Sequence, residues 1–372
     1  MKRAGAQRMM RNAQEFLFPS TAEDRSIPVL DGGLSPNDDL DALEELWAQP
    51  ESEPDSLLVT DKGVVVSSGS TLIVLGIDGS QIGAVLDIGL AIGALAALPD
   101  GGILAVTVGG PSQYLQWAED GGLTLAGEAK LSLNCPTDAA VLGRTVYLTE
   151  GSADRAPEEW MYDLMGKGAT GRVVAFDLDS GNLRVVATGL AWANGVEVST
   201  HDGRLVIAEA WRHRLVEVDL ASGKVTPLGR PLPGYPGRLS RTPSGDMLLA
   251  FISTRAHIVE FVLREDEYRR RMVESIDPDF WIRPALRVSG TRWEPLQIGS
   301  MKHLGVTKPW APPRAYGLVA LMGVDGTALR SWHGRVGSSR TGVTAAAIDR
   351  GHLVVACRGG RRVLRSLKEE LA

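Results

Sequence analysis

The sequence predicts an all-β chain folded as a six-bladed β-propeller, with helical or irregular lid insertions in blades three and five. Two observations carry this. A strand, tight turn, strand phrase is written six times, at Asp55 to Ser67, Gly93 to Thr107, Thr137 to Thr149, Ala193 to Glu209, Gly237 to Phe251 and Val343 to Ala356. A second pair of strand-like runs follows each of the first five phrases and a single run follows the sixth, making a unit of four strands in about 32 residues at its shortest. Such a unit cannot bury both faces alone, and repeats of this period close into a ring of blades.

Each element follows from local chemistry. In blade one, Asp61-Lys62-Gly63 turns Asp55–Thr60 onto Val64–Ser67, and Asp78-Gly79 turns Leu72–Ile77 onto Gln81–Leu86. Blade two repeats this with Pro99-Asp100-Gly101 and Asp120-Gly121-Gly122. Blade three ends through Asp179-Ser180-Gly181, blade four through Ala221-Ser222-Gly223 and blade five through Asp325-Gly326. Blade six stops at Arg362–Leu367, one strand short. The segment 40–48 is helical by propensity, but the ring needs a strand, and the expectation is that it closes blade six. Residues 1–39 read as an irregular leader, rich in Gly, Pro, Asn and Asp, and 40–372 as the propeller.

Two units are stretched between their second and third strands. In blade three, residues 151–170 carry a short amphipathic helix pattern around Pro157 to Met165. In blade five, 253–313 carry a helical pattern (Ile258, Phe261, Val262, Tyr268, Met272, Val273) and an aromatic stretch with Trp281, Trp293 and Trp310. In a propeller that loop emerges at the end where first strands begin, so both insertions are expected to overhang the blade-opening residues. Long loops in a compact domain usually carry function.

Composition excludes several classes. The chain has 372 residues, 45 acidic against 39 basic, which argues against nucleic acid as a partner. Two cysteines, Cys135 and Cys357, are too few for a disulfide framework, and their pairing is left open. Met1 to Arg11 is basic, but no continuous apolar run follows before Pro19, so no secretory signal is expected. Ile82 to Gly110 is apolar but broken by Asp87, Pro99 and Asp100, which reads as buried strands rather than a membrane span. The expectation is a cytoplasmic protein with a small-molecule partner, no nucleic acid and no membrane.

Four stretches stand out in order along the chain: Glu53-Pro54-Asp55-Ser56, Leu190-Ala191-Trp192-Ala193-Asn194-Gly195-Val196, Val206-Ile207-Ala208-Glu209-Ala210-Trp211-Arg212-His213-Arg214 and Leu232-Pro233-Gly234-Tyr235-Pro236-Gly237-Arg238. These motifs resemble those of the strictosidine synthase-like family, and more distantly those of the gluconolactonase and paraoxonase propellers. The resemblance spans roughly residues 40–368. It implies a propeller enzyme acting on a small organic substrate in an axial pocket, with lactone or ester hydrolysis as the expected reaction. Lyase or cyclase chemistry in the same pocket, or a propeller that only binds a ligand or protein, are the alternatives.

Equivalent positions of a rotational repeat converge on its axis. The blade openers Asp55, Gly93, Thr137 with Asp138, Asn194, Gly237 with Arg238, and Val343-Thr344 are therefore expected to meet. Gluconolactonase-type relatives hold a divalent cation there with Glu, Asn, Asn and Asp, and the resemblance assigns Asp55 and Asn194 as metal ligands. Thr137 and Gly237 replace two donors, so the site is degenerate, with no cofactor or a weakly bound calcium expected. Strand alternation points Arg238 away from the axis unless a bulge at Gly237 reverses it. Catalytic candidates are Asp55, Asn194 and Asp138, the last as acid/base or as a backbone tie between blades, the tie being preferred. Candidate substrate contacts are Thr137, Trp160, Trp192, Glu209, Tyr235, Arg238 and Trp310, with pairing to Arg212 or Arg214 as the competing role for Glu209. His213 is expected on the surface or between blades. No Glu occurs in Thr344 to His352, where the plant Pictet–Spengler enzymes of this family place one.

Overall fold

The computed structural model describes residues 27–76, 78–287, 302–303, 306–307, 315–335 and 338–367. Six antiparallel four-stranded sheets follow one another around an axis. The innermost strands are Pro54–Thr60, Ile92–Ala97, Pro136–Leu142, Ala193–Val198, Gly234–Arg241 and Val343–Asp349. Blade six takes its outer strand from the other end of the chain, where Glu44–Ala48 pairs antiparallel with Arg362–Arg365. That strand is shorter than the segment 40–48 read from the sequence. Leu40 lies in a turn, fully buried against Val319, Leu353 and Val355, and donates its N–H to the His333 carbonyl at 3.1 Å.

Between adjacent blades the β-branched faces interdigitate. Val173, Ala187 and Leu190 of blade three meet Val196, Ile207 and Val216 of blade four, all essentially buried. Each such Val, Leu or Ile contributes about 1.5–3 kcal/mol by leaving water, which holds neighbouring blades face to face.

Every innermost strand carries a register shift at its start, at Pro54/Leu57, Ile92/Ala94, Pro136/Asp138, Ala193/Gly195, Gly234/Pro236 and Val343/Ala345. Such a bulge leaves an extra residue out of the ladder and bends the strand. The residues so released are Asp55 with Ser56, Gly93, Thr137, Asn194, Tyr235 and Thr344. Neighbouring inner strands press together here: a Cβ on Gly93 would stand 2.3 Å from the Pro136 carbonyl oxygen, and one on Gly195 2.4 Å from that of Gly237. Blade five differs from the sequence reading. Its strand begins at Gly234 rather than Gly237, and it has a second shift between Pro236 and Leu239.

Both insertions leave between second and third strands. In blade three, a 3-10 turn, Pro157–Glu159, leads into α1 (Trp160–Gly166). In blade five, α2 (His257–Arg264) and α3 (Asp266–Ser275) follow each other directly. They pack together through Leu164, Met165, Val262, Met272 and Trp281, and Lys167 bonds Asp266 at 2.9 Å. Phe261 and Tyr268, expected in the helical pattern, face outward. Trp293 and Trp310 lie outside the described residues.

Candidate functional site

All six bulge positions open onto one cavity of about 360 Å³: Asp55, Gly93, Thr137, Asn194, Tyr235 and Thr344 line it. Trp160 and Pro157 from the blade-three insertion, and Pro284 and Leu286 from the blade-five insertion, line it as well. Trp192 and Trp211 complete an aromatic wall. Their ring centroids lie 5.1 Å apart, Trp160 stands 6.3 Å from Trp211, and Tyr235 meets Trp211 edge-on at 6.0 Å. Trp192 holds φ at +58° at the blade boundary, a conformation costly for a side chain of that size.

The floor is ionic. The second shift in blade five turns Arg238 inward, reversing what simple strand alternation gives. Its Nη2 donates to Asp55 Oδ2 at 2.6 Å and to the Gly93 carbonyl at 2.9 Å. Its Nη1 reaches the carbonyls of Asp55 at 3.1 Å and Thr344 at 3.4 Å. One side chain of blade five thus touches blades one, two and six. Arg358, directly after the second strand of blade six, approaches Asp55 Oδ1 at 3.4 Å and Glu53 Oε2 at 3.3 Å, while Arg287 bonds Glu53 at 2.8 Å. Burial pushes the Asp55 carboxyl up, but the guanidiniums of Arg238 and Arg358 outweigh it and hold Asp55 below the usual carboxylate range. Glu53 is lowered likewise, burial being outweighed by Arg358 and Arg287.

The other expected residues divide. Asn194 lines the cavity and donates Nδ2 to the Pro236 carbonyl at 3.2 Å. Thr137 lines it too, but its hydroxyl lies 2.7 Å from the Ala193 carbonyl, between blades three and four. The Tyr235 hydroxyl is buried without a hydrogen-bond partner among the described residues. Asp138 is 8 % exposed and does not line the cavity. Its carboxylate accepts the N–H groups of Ala139 at 3.0 Å, Val196 at 3.0 Å and Leu239 at 3.3 Å, tying blade three to four and five. Burial raises its pKa to about 7, against the pull of Arg238 and these amides.

Glu209 is corrected outright as a substrate contact. It is fully buried away from the cavity, accepts the Ala191 N–H at 2.8 Å and pairs with both Arg212 and Arg214. Glu150, at the equivalent end of its own second strand, does the same for Asn134 and Arg172. His213 is buried, with Nδ1 3.1 Å from the Gly234 carbonyl and Nε2 3.4 Å from Glu260 of α2.

Sequence reasoning missed Glu53, Trp211, Arg287 and Arg358. Rotational equivalence points to Arg358: Gly69 and Val108 also directly follow second strands and line the cavity. A calcium ion does not fit these residues. Asp55 is the one acid among the bulge residues, and a guanidinium already stands against it. Among the described residues no three His, Cys, Asp or Glu side chains gather as metal ligands. Both cysteines are free and buried.

Residues 139–219 match the strictosidine synthase family model. This bears out the resemblance read from the motifs. The matched stretch carries Trp160, Trp192, Asn194 and Trp211 of the cavity wall. Among curated relatives, adipocyte plasma membrane-associated protein of Salmo salar is 26% identical over 134 residues, 35% of this chain and 32% of that protein. Strictosidine synthase-like 4 of Arabidopsis thaliana is 27% identical over 154 residues, 41% of this chain and 39% of that protein. The chain thus spans about a third of the length of the curated relatives it matches. Solved structures agree on the fold. A gluconolactonase of Xanthomonas campestris superposes with a TM-score of 0.53 at 13% identity, over 86% of this chain and 87% of that one. The calcium-binding protein regucalcin of Agrobacterium tumefaciens gives 0.52 at 13%, over 88% and 94%. Among the described residues, no helix is long and apolar enough to cross a membrane.

Proposed function

We propose that this strictosidine synthase-like propeller acts on a small organic ester or lactone in its axial cavity, without a resident divalent metal. The observation that carries the reading is the ionised Asp55, set between two guanidiniums beneath an aromatic wall. The indole faces offer a flat apolar group its surface. The half-exposed Arg358 guanidinium is suited to receive a carbonyl oxygen and the charge that develops on it. Asp55 would take a proton from water as that water adds to the acyl carbon; the C–O bond of the tetrahedral intermediate then breaks, and the departing alkoxide takes that proton back from the Asp55 carboxyl. One placed carboxylate supplies about 10²–10⁴ in rate, so the metal is not needed for turnover.

One observation favours a second reading, a propeller that binds such a molecule without converting it. Both oxygens of Asp55 already face guanidiniums, and its lowered pKa makes it a weak base. A panel of p-nitrophenyl esters and aromatic lactones separates the two. Turnover that survives chelator and falls at least about 100-fold in Asp55→Asn supports hydrolysis. Quenching of tryptophan fluorescence by the same compounds, with no turnover above background, supports the binder.

A further inference from the structure

We propose that Gly151 is a positioning residue: its missing side chain seats the Trp192 indole, and so sets how wide a flat ligand the axial cavity admits. This rests on the reading that the cavity holds a flat organic molecule, whether converted or only bound.

The position directly after the second strand recurs once per blade, as Gly69, Val108, Gly151, Ala210, Arg255 and Arg358. Blades one, two and six turn it to the cavity, with Gly69, Val108 and Arg358. In blades three and four the Trp192 indole lies against it instead. Ala210 packs on Trp192 together with Cys135. A Cβ on Gly151 would stand 2.9 Å from Trp192 Cε2 and 3.0 Å from Cδ2, the atoms of the bond that its two rings share. The backbone does not ask for glycine there. Gly69, at the same place in blade one, has a φ of +59° and open space where its Cβ would be, whereas Gly151 lies outside the left-handed region. What needs the missing Cβ at Gly151 is the indole.

Trp192 is fixed where it stands. Its φ of +58° is held by backbone bonds on both sides. The Ala191 N–H donates to Glu209 at 2.8 Å, the Trp192 carbonyl accepts the Ala210 N–H at 3.0 Å, and the Ala191 carbonyl accepts the Trp211 N–H at 3.1 Å. Behind the indole, Cys135, Thr137 and Ala210 are buried, and a close-packed interior gives no room. The empty space that Trp192 borders is the cavity. A side chain grown at Gly151 therefore drives the indole toward Trp211, whose ring centroid is 5.1 Å away, and into that space.

The test is Gly151→Ala. The probes are acetanilide, with one ring, and N-naphthylacetamide, with two fused rings; both are amide counterparts of aryl esters that resist hydrolysis. Titration calorimetry is expected to show the two-ring probe weakened at least about tenfold and the one-ring probe by less than about twofold, since one methylene of misfit in an apolar pocket costs about that much. Adding Trp192→Phe, which returns the lost room, is expected to restore the wild-type ratio. Equal weakening of both probes overturns the proposal, as does a double variant no better than Gly151→Ala. A second readout needs no ligand. Trp192 and Trp211 are close enough to share an exciton couplet in circular dichroism, assigned by its loss in Trp211→Phe. Gly151→Ala is expected to change that couplet, and an unchanged couplet overturns the proposal. If wild type binds neither probe, the flat-ligand reading fails and the couplet alone decides whether Gly151 seats the indole. If Gly151→Ala does not fold, the Gly151→Ala, Trp192→Phe double variant is expected to fold; its failure as well overturns the proposal, because the obstruction is then not the indole.

Discussion

Arg238 of blade five and Asp55 of blade one meet at 2.6 Å across the propeller axis, each side chain almost withdrawn from solvent. With its carbonyl contacts Arg238 spans blades five, six, one and two, and Asp138 spans three, four and five. Two charged side chains therefore reach all six blades. The hub that shapes the cavity therefore also ties the sheets together, alongside the apolar faces between blades.

Removing one member of this pair should destabilise the fold strongly. Arg238→Met leaves the buried Asp55 carboxylate with only the longer 3.4 Å contact to Arg358, and the expected loss is about 3–5 kcal/mol in urea unfolding. Adding Asp55→Asn removes the stranded charge, so the double variant should be more stable than Arg238→Met alone. A double variant that simply sums the two losses would show that the residues do not interact.

Stability should depend on pH in two separate windows. Asp55 has a lowered folded pKa, so its contribution is complete above the unfolded carboxylate value of about 3.9 and disappears as pH falls through the folded value. Asp138 runs the other way. Its folded pKa, about 7, lies above the unfolded value, so the folded state binds the extra proton and stability falls as pH rises between the two. Asp138→Asn should flatten that slope. Identical urea midpoints for wild type and Asp138→Asn across the window would mean that the three amides keep Asp138 ionised throughout.

Glu209 should matter for folding and not for the ligand. Glu209→Gln keeps the shape but loses the charge facing Arg212 and Arg214, both of which retain access to water. A loss of about 1–3 kcal/mol is expected, with ligand affinity unchanged. Weakened ligand binding in a fully stable variant would return Glu209 to the pocket.

The aromatic wall should report binding directly. Trp211 donates Nε1–H to Asp163 at 2.8 Å, and Asp163 is buried in α1. Trp211→Phe strands that carboxylate, at a cost of about 1–3 kcal/mol, and should reduce the fluorescence change that an aromatic ligand produces. An unaltered fluorescence response would place the ligand away from Trp211.

Much of this was legible in the chain. Asp-Gly and Pro-Asp-Gly turns between β-branched runs are local chemistry, and their sixfold recurrence is enough to count blades and to bring Asp55, Thr137 and Asn194 together. The blade-three and blade-five helices were visible as apolar periodicity. Glu209 was ambiguous because a carboxylate at a strand end looks the same whether it faces a pocket or its own arginines.

The sequence by itself determined the number of sheets, the ring they form and the end of the ring that carries the insertions, because turns and strand periodicity are written locally. Only the tertiary structure decided what stands at the axis. A bulge flips a side chain from one face of a strand to the other by a single unpaired residue; Gly237 marked where one could form, but only the folded ladder fixes the shift after Pro236 that swings Arg238 inward onto Asp55.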